Sequence, residues 1–149
     1  MLGSINEAGL NLIKEFEGYR SEAYQDVVGI WTIGYGHIRG VRPGMTITEE
    51  QAAQFLRQDL AHAEASVDHM TSPAPTTNNQ FAAMVSLCFN IGSGNFKTSS
   101  VLRLHRERDY TSAADAFLRW DKAHVNGQLE EVAGLLRRRQ AEKALYSMT

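Results

Sequence analysis

Apolar positions along the chain change their period several times, and each change marks an element. Leu10, Ile13 and Phe16 recur at helical spacing. The preceding Ser4-Ile5-Asn6-Glu7 reads as a capping box, in which Ser and Glu satisfy each other's amides. A first helix is therefore expected over 4–16, with Gly18 as its stop. From Tyr24 to Ile38 the helical period gives way to β-branched and aromatic residues among Gly29, Gly34 and Gly36, which predicts two or three short strands. Alternation sets Ile30, Thr32 and Gly34 on one strand face and Trp31, Ile33 and Tyr35 on the other. Arg39 to Ile47 reads as a loop turning at Pro43-Gly44.

Thr48-Glu49-Glu50-Gln51 is a second capping box and opens a long helix to about Met70. Its buried stripe reads Ala52, Phe55, Leu56, Asp59, Ala63 and Val67. Asp59 interrupts that stripe, so it either has a partner or sits at the edge and reaches water. Residues 71–78 read as a loop. Asn79 to Phe89 is apolar around most of its girth, which predicts a central buried helix ended by the segment from Asn90 to Gly94. Two shorter helices are expected over 98–107 and 111–121, the second with Ala113, Ala116, Phe117 and Trp120 inward. Asn126-Gly127 reads as a turn. A last helix from Val132 to Tyr146 turns Leu135, Leu136, Ala141 and Leu145 inward.

At 149 residues the chain suits a single domain with a full core. A net charge of −2 gives no reason to expect nucleic-acid binding, although Arg137, Arg138 and Arg139 leave room for a compact basic patch. The lone Cys88 excludes an intramolecular disulfide, and its apolar setting reads as a buried small hydrophobe. No apolar run reaches the ~18 residues of a membrane span, and the start lacks the basic and apolar regions of a signal peptide. His62 and His69 lie on one helix face without a third ligand nearby, so no metal is expected.

The chemistry concentrates between Glu17 and His37. Glu17 closes a helical pattern, at the end where the helix dipole disfavours negative charge. Asp26 and Thr32 follow on the short strands. Two carboxyl groups from different elements are the minimum kit for acid-assisted hydrolysis of a glycosidic bond, although most acidic pairs at such spacing are solvated surface. The whole string carries more. Phe16-Glu17-Gly18, then Ala23-Tyr24-Gln25-Asp26, then Trp31-Thr32-Ile33-Gly34-Tyr35-Gly36-His37 resembles the phage-type lysozymes, the endolysin muramidases of tailed bacteriophages. The likeness continues through Phe89-Asn90-Ile91-Gly92 and from Gly134 through Arg139 to Leu145-Tyr146.

That resemblance implies a mostly helical α+β fold with two lobes. A small β lobe (about 18–47) and a helical lobe (about 71–149, with the N-terminal helix 4–16) are joined by the long helix (about 48–70). The whole would form one catalytic domain without a separate wall-binding domain, its active site in the cleft. It implies Glu17, Asp26 and Thr32 as the catalytic set and Ile38, Phe89 and Ser99 as substrate contacts. It also implies a supporting pair of His37 with Asp59, and one of Arg138 and Arg139 approaching the cleft and steadying a carboxylate; for the arginines, a solvated basic face is the alternative. The core explains Phe89 as well as sugar contact does, and it explains Trp120 better. The implied reaction cleaves the β-1,4 bond between N-acetylmuramic acid and N-acetylglucosamine in peptidoglycan, with neither cofactor nor metal. The partner is then the glycan strand, met by a monomer that binds no nucleic acid and does not insert into membranes. Such an enzyme would wait in the bacterial cytoplasm until a separate membrane-permeabilising protein releases it to the wall.

Overall fold

The computed structural model describes residues 3–125, 128–131 and 133–148. Helix α1 spans Glu7–Glu17. It is capped not by Ser4 but by Asn6, whose Oδ1 accepts from the Gly9 amide at 3.0 Å. Asn and Ser are comparable caps. Here Ile5 is buried and its amide donates to Glu64 Oε2 at 2.7 Å, which commits the chain before Asn6 elsewhere.

Strands β1 (Arg20–Gln25) and β2 (Trp31–Gly34) form an antiparallel hairpin in which Tyr24 faces Thr32 and Gln25 faces Trp31. β2 stops short of Tyr35 because Gly34 and Gly36 adopt φ of +65° and +85°, a region that side-chain-bearing residues rarely tolerate. The chain doubles back, and the backbones of Ile33 and His37 exchange two hydrogen bonds at 2.9 Å. The turn at Pro43-Gly44 forms as expected, closed by the Met45 amide on the Arg42 carbonyl at 3.2 Å.

Helix α2 spans Glu49–Thr71. Its capping box is in place: the Thr48 amide donates to Gln51 Oε1 at 2.9 Å, and the Gln51 amide to Thr48 Oγ1 at 3.1 Å. Another box, Thr77 with Gln80, opens α3 (Asn78–Ile91), which is buried from Gln80 to Cys88 as its all-round apolar pattern implies. There follow α4 (Ser93–Lys97), α5 (Ser100–Arg106), α6 (Tyr110–Ala116) and a 3₁₀ turn, Phe117–Arg119. Strands β3 (Lys122–Val125) and β4 (Gln128–Glu131) make a second hairpin, and α7 spans Ala133–Tyr146. The sequence reading missed α4 and this hairpin; the expected turn at Asn126-Gly127 lies outside the described residues.

The chain divides into two compact units, one of residues 13–62 and one of residues 1–12 with 63–149. The first has Ile13, Ile33, Leu56 and Leu60 at its centre; the second has Phe81, Met84, Phe96 and Phe117. In the second, α7 packs on α3, and its inner face corrects the sequence reading. Leu135 and Leu136 are only half-buried, while Arg138 (4% exposed), Arg139 (0%) and Glu142 (0%) are inside. The basic patch therefore does not form, since only Arg137 of the three arginines is exposed.

Candidate active site

Glu17 is the last residue of α1 and is half-buried. Its carboxyl lies over the backbone of Gly36: a Cβ built there would stand 3.2 Å from Glu17 Oε1. Gly36 is favoured by its positive φ, and its missing side chain leaves room for the Glu17 carboxyl.

Asp26 heads the turn between β1 and β2. Its Oδ1 accepts from the amides of Val28 and Ile30, both at 2.9 Å. Its own amide donates to the Ile30 carbonyl at 2.9 Å, and its carbonyl accepts from Gly29 at 3.0 Å. An Asp side chain mimics a turn backbone in this way, so Asp26 is both a carboxylate and a piece of the turn.

Thr32 is buried, and its hydroxyl donates to the Ile30 carbonyl at 2.9 Å. With its proton spent there, the oxygen turns only acceptor capacity to anything else. The ladder register continues from Tyr24–Thr32 through Gln25–Trp31 to the Asp26–Ile30 bond. Asp26 and Thr32 are therefore diagonal neighbours on one face, a separation of roughly 7–8 Å.

The backbone behind Gly36 is held by polar contacts. His37 is 6% exposed; its Nδ1 lies 2.8 Å from Asp59 Oδ2, and its ring stacks on Phe55 with centroids 4.2 Å apart at 11°. Tyr35 donates to Glu49 Oε2 at 2.6 Å. Burial, followed by that carboxylate, pushes the Tyr35 phenol up to about 12. Lys14 reaches the same Glu49 oxygen at 3.9 Å and lies 5.7 Å over the Tyr35 ring. Neither Gly36 under Glu17 nor Phe55 under His37 was singled out from sequence; the Gly34-Tyr35-Gly36 spacing was the available signal for the first. Beside this scaffold, Tyr19 to Ala23 border a surface recess of ≈ 400 Å³.

Of the remaining expected contacts, Ile38 is 55% exposed and belongs to the same unit. Phe89 and Ser99 belong to the other unit. Phe89 is half-buried at the end of α3. Ser99 is buried and caps α5, donating to the Phe96 carbonyl at 2.7 Å and accepting from the Leu102 amide at 3.2 Å. Arg138 lies on α7 with Nε 3.4 Å from Glu142 Oε2 and Nη2 3.4 Å from the Ser86 carbonyl. Arg139 Nε is 2.8 Å from Glu142 Oε1, and its Nη2 donates to Asn90 Oδ1 at 3.0 Å. The Ser86 hydroxyl also donates to Glu142. Burial pushes the Glu142 carboxyl up, and the Arg139 and Arg138 guanidiniums pull it back down. Both guanidiniums thus pair with Glu142 on their own helix. Among the described residues, no cluster of three or more His, Cys, Asp or Glu side chains could hold a metal ion.

Residues 14–142 match the phage lysozyme family. The chain belongs to that family. An endolysin of Acyrthosiphon pisum secondary endosymbiont phage 1 is 47% identical over 142 residues, 95% of this chain and 97% of the relative. The muramidase domain of SpmX from Asticaccaulis excentricus superimposes with a TM-score of 0.92 at 44% identity, covering 98% of this chain and 99% of that one. The endolysin from Escherichia coli O157:H7 phage FAHEc1 also superimposes with a TM-score of 0.92, at 39% identity over 97% and 93% of the two chains. The lysozyme-like, mostly helical α+β fold is thereby shown over 98% of this chain. No described helix of this family member is long and apolar enough to cross a membrane.

Proposed function

We infer that Glu17, Asp26 and Thr32 carry out the peptidoglycan hydrolysis to which membership of the lysozyme family points. The observation that carries the reading is a carboxyl group at a helix end, seated over Gly36, in the same compact unit as a carboxylate and a hydroxyl set diagonally on one hairpin. Glu17 donates a proton to the leaving glycosidic oxygen. Asp26 stays ionised beside the oxocarbenium-like transition state. The gap between Asp26 and Thr32 suits one water. Both groups offer it acceptors, because the Thr32 proton is already given to Ile30. A water hydrogen-bonded to both would direct a lone pair at the sugar carbon and give up to Asp26 the proton it loses on forming the new C–O bond.

Ile38 and Phe89 supply apolar contact to the glycan. Ser99 acts through the α5 cap that its hydroxyl makes. His37 with Asp59 holds the Gly36 turn, and Arg138 braces α7. The two compact units work as one catalytic domain, and the protein acts as a monomer. It lyses a bacterial host from within at the end of a phage cycle, acting on the wall. It accumulates in the cytoplasm and reaches the wall once a separate protein opens the membrane.

Mass spectrometry of digested peptidoglycan is the test. Hydrolysis between N-acetylmuramic acid and N-acetylglucosamine leaves reducing muramic ends. Anhydro-muramic ends would instead identify a lytic transglycosylase, and an absence of products a wall-binding module. Glu17→Gln should lower product formation by roughly 10²–10⁴-fold, the usual worth of a general acid. A variant retaining more than about a tenth of wild-type turnover, well outside that loss, would remove Glu17 from the role.

A further inference from the structure

Glu17 sits where helices are loose. It is the last residue of α1, and Gly18 behind it adopts φ of +74°. The final turn closes through the Gly18 amide on the Lys14 carbonyl at 3.0 Å, and helix ends of this kind fray. A general acid needs the opposite, since a misplacement of about 1 Å can cost roughly 10²-fold in rate.

Three side chains around that turn end on one short stretch, residues 47–49 at the entry to α2. Lys14, three residues before Glu17, reaches Glu49 Oε2 at 3.9 Å. Tyr19, two residues after Glu17, donates to the Ile47 carbonyl at 3.0 Å. Tyr35, beside the Gly36 that backs the Glu17 carboxyl, donates to Glu49 Oε2 at 2.6 Å. Tyr35 also lies between the other two. Lys14 Nζ stands 5.7 Å over its ring, and the Tyr19 ring is tilted against it with centroids 5.8 Å apart. These contacts differ in weight. The Lys14–Glu49 pair is long and its carboxylate side chain 56% exposed, so it contributes little alone. The Tyr35 bond is short, ends on a carboxylate, and comes from a buried ring. The phenol keeps its proton up to about 12, so the donor is present through neutral and mildly alkaline solution.

We propose that Tyr35 is a positioning residue for Glu17: its bond to Glu49 fixes the ring on which Lys14 and Tyr19 rest, and so holds the helix end that carries the acid. This rests on the reading of Glu17 as general acid. Tyr35 acts on the chain on both sides of Glu17 and need touch no substrate.

Tyr35→Phe keeps the ring and removes only the hydroxyl. It should lower kcat on peptidoglycan about tenfold, part of what a misplaced acid can cost, and leave KM within about twofold. Glu49→Ala should do the same, and the double variant should lose no more than either single, because both remove one bond. Glu49→Gln keeps an acceptor oxygen and should recover most of the rate. In Glu17→Gln protein, adding Tyr35→Phe should leave the residual rate within about twofold, because the acid to be positioned is gone. A residue that only stabilised the fold would lower the melting temperature with kcat unchanged, or would slow the Glu17→Gln protein as much as the wild type; either result overturns the proposal. Glu49 is exposed, so its two variants decide the matter should Tyr35→Phe fail to fold. An independent readout is carbon-13 relaxation of the Glu17 side-chain methylenes. Their order should fall in Tyr35→Phe and in Glu49→Ala, and unchanged order overturns the proposal. If the wild type leaves no reducing muramic ends while that order still falls, the positioning stands and the hydrolytic reading fails. If the wild type hydrolyses the wall and both variants keep its kcat, the hydrolytic reading stands and the positioning fails.

Discussion

His105 makes the stability of this protein sensitive to mild acid. It is fully buried, between Thr76 and Tyr146. The Thr76 hydroxyl donates to the Ala74 carbonyl at 3.0 Å, so it accepts from His105 Nε2–H at 2.8 Å. Nδ1 is then bare and accepts the Tyr146 hydroxyl proton at 2.7 Å. Both ring nitrogens are satisfied only in the neutral form, and burial lowers the imidazole pKa from 6.5 to about 4. The sign follows from linkage. Above pH 6.5 neither state is protonated and the full stability is present. Between 6.5 and about 4 only the unfolded chain takes up the proton, so stability falls with pH; below about 4 the loss levels off. With these two values the loss from pH 7 to pH 5 is about 2 kcal/mol, and by pH 4 about 3. In a chain of this size each kcal/mol moves Tm by roughly 2–4 °C. Thermal unfolding followed by circular dichroism should therefore show wild type losing about 4–8 °C more between pH 7 and pH 5 than His105→Gln loses. Comparing slopes, not absolute midpoints, cancels whatever the substitution itself costs and whatever other groups titrate. Parallel slopes for the two proteins would refute the assignment of a neutral, acid-resistant His105.

Glu142→Gln leaves the buried Arg138 and Arg139 without their shared anion, and urea unfolding should show a loss of about 3–5 kcal/mol; a loss below about 1 would mean the guanidiniums find other compensation. Ultraviolet titration should find the Tyr35 phenol, identified by its loss in Tyr35→Phe, un-ionised until about pH 12; ionisation of Tyr35 near 10 would contradict its bond to Glu49. If water attacks from between Asp26 and Thr32, the first reducing ends seen by proton NMR, before mutarotation, are the α-anomer; an initial β-anomer would make Asp26 a covalent nucleophile.

Much of the fold was legible because its signals were local. The boxes at Thr48-Gln51 and Thr77-Gln80 are each complete within four residues, and the latter passed unread only because the polar run before it looked like loop. The first cap was misread because the choice between Ser4 and Asn6 depends on a distant carboxylate, Glu64. The face of α7 was misread for a related reason. Apolar periodicity assumes that charge faces water, whereas Glu142 and the two arginines are inside with their opposite charges paired. At the candidate site the residue types and their order could be read directly. What could not be read was which spare bonding capacity each retains: that the Thr32 proton is spent on Ile30, or that one Asp26 oxygen is built into a turn.

The Glu142 trio also shapes how the sequence can drift. Replacing a whole buried ion cluster by apolar residues of similar volume is often neutral or stabilising, so nothing in the energetics demands these three charges. Yet each single step toward such a core strands a charge in the interior, and a lineage would have to cross that valley before reaching the far side. Arg138, Arg139 and Glu142 are thus held by the absence of a passable route as much as by their merit. A library that varies all three positions together should recover folded apolar combinations that no one-at-a-time scan would find.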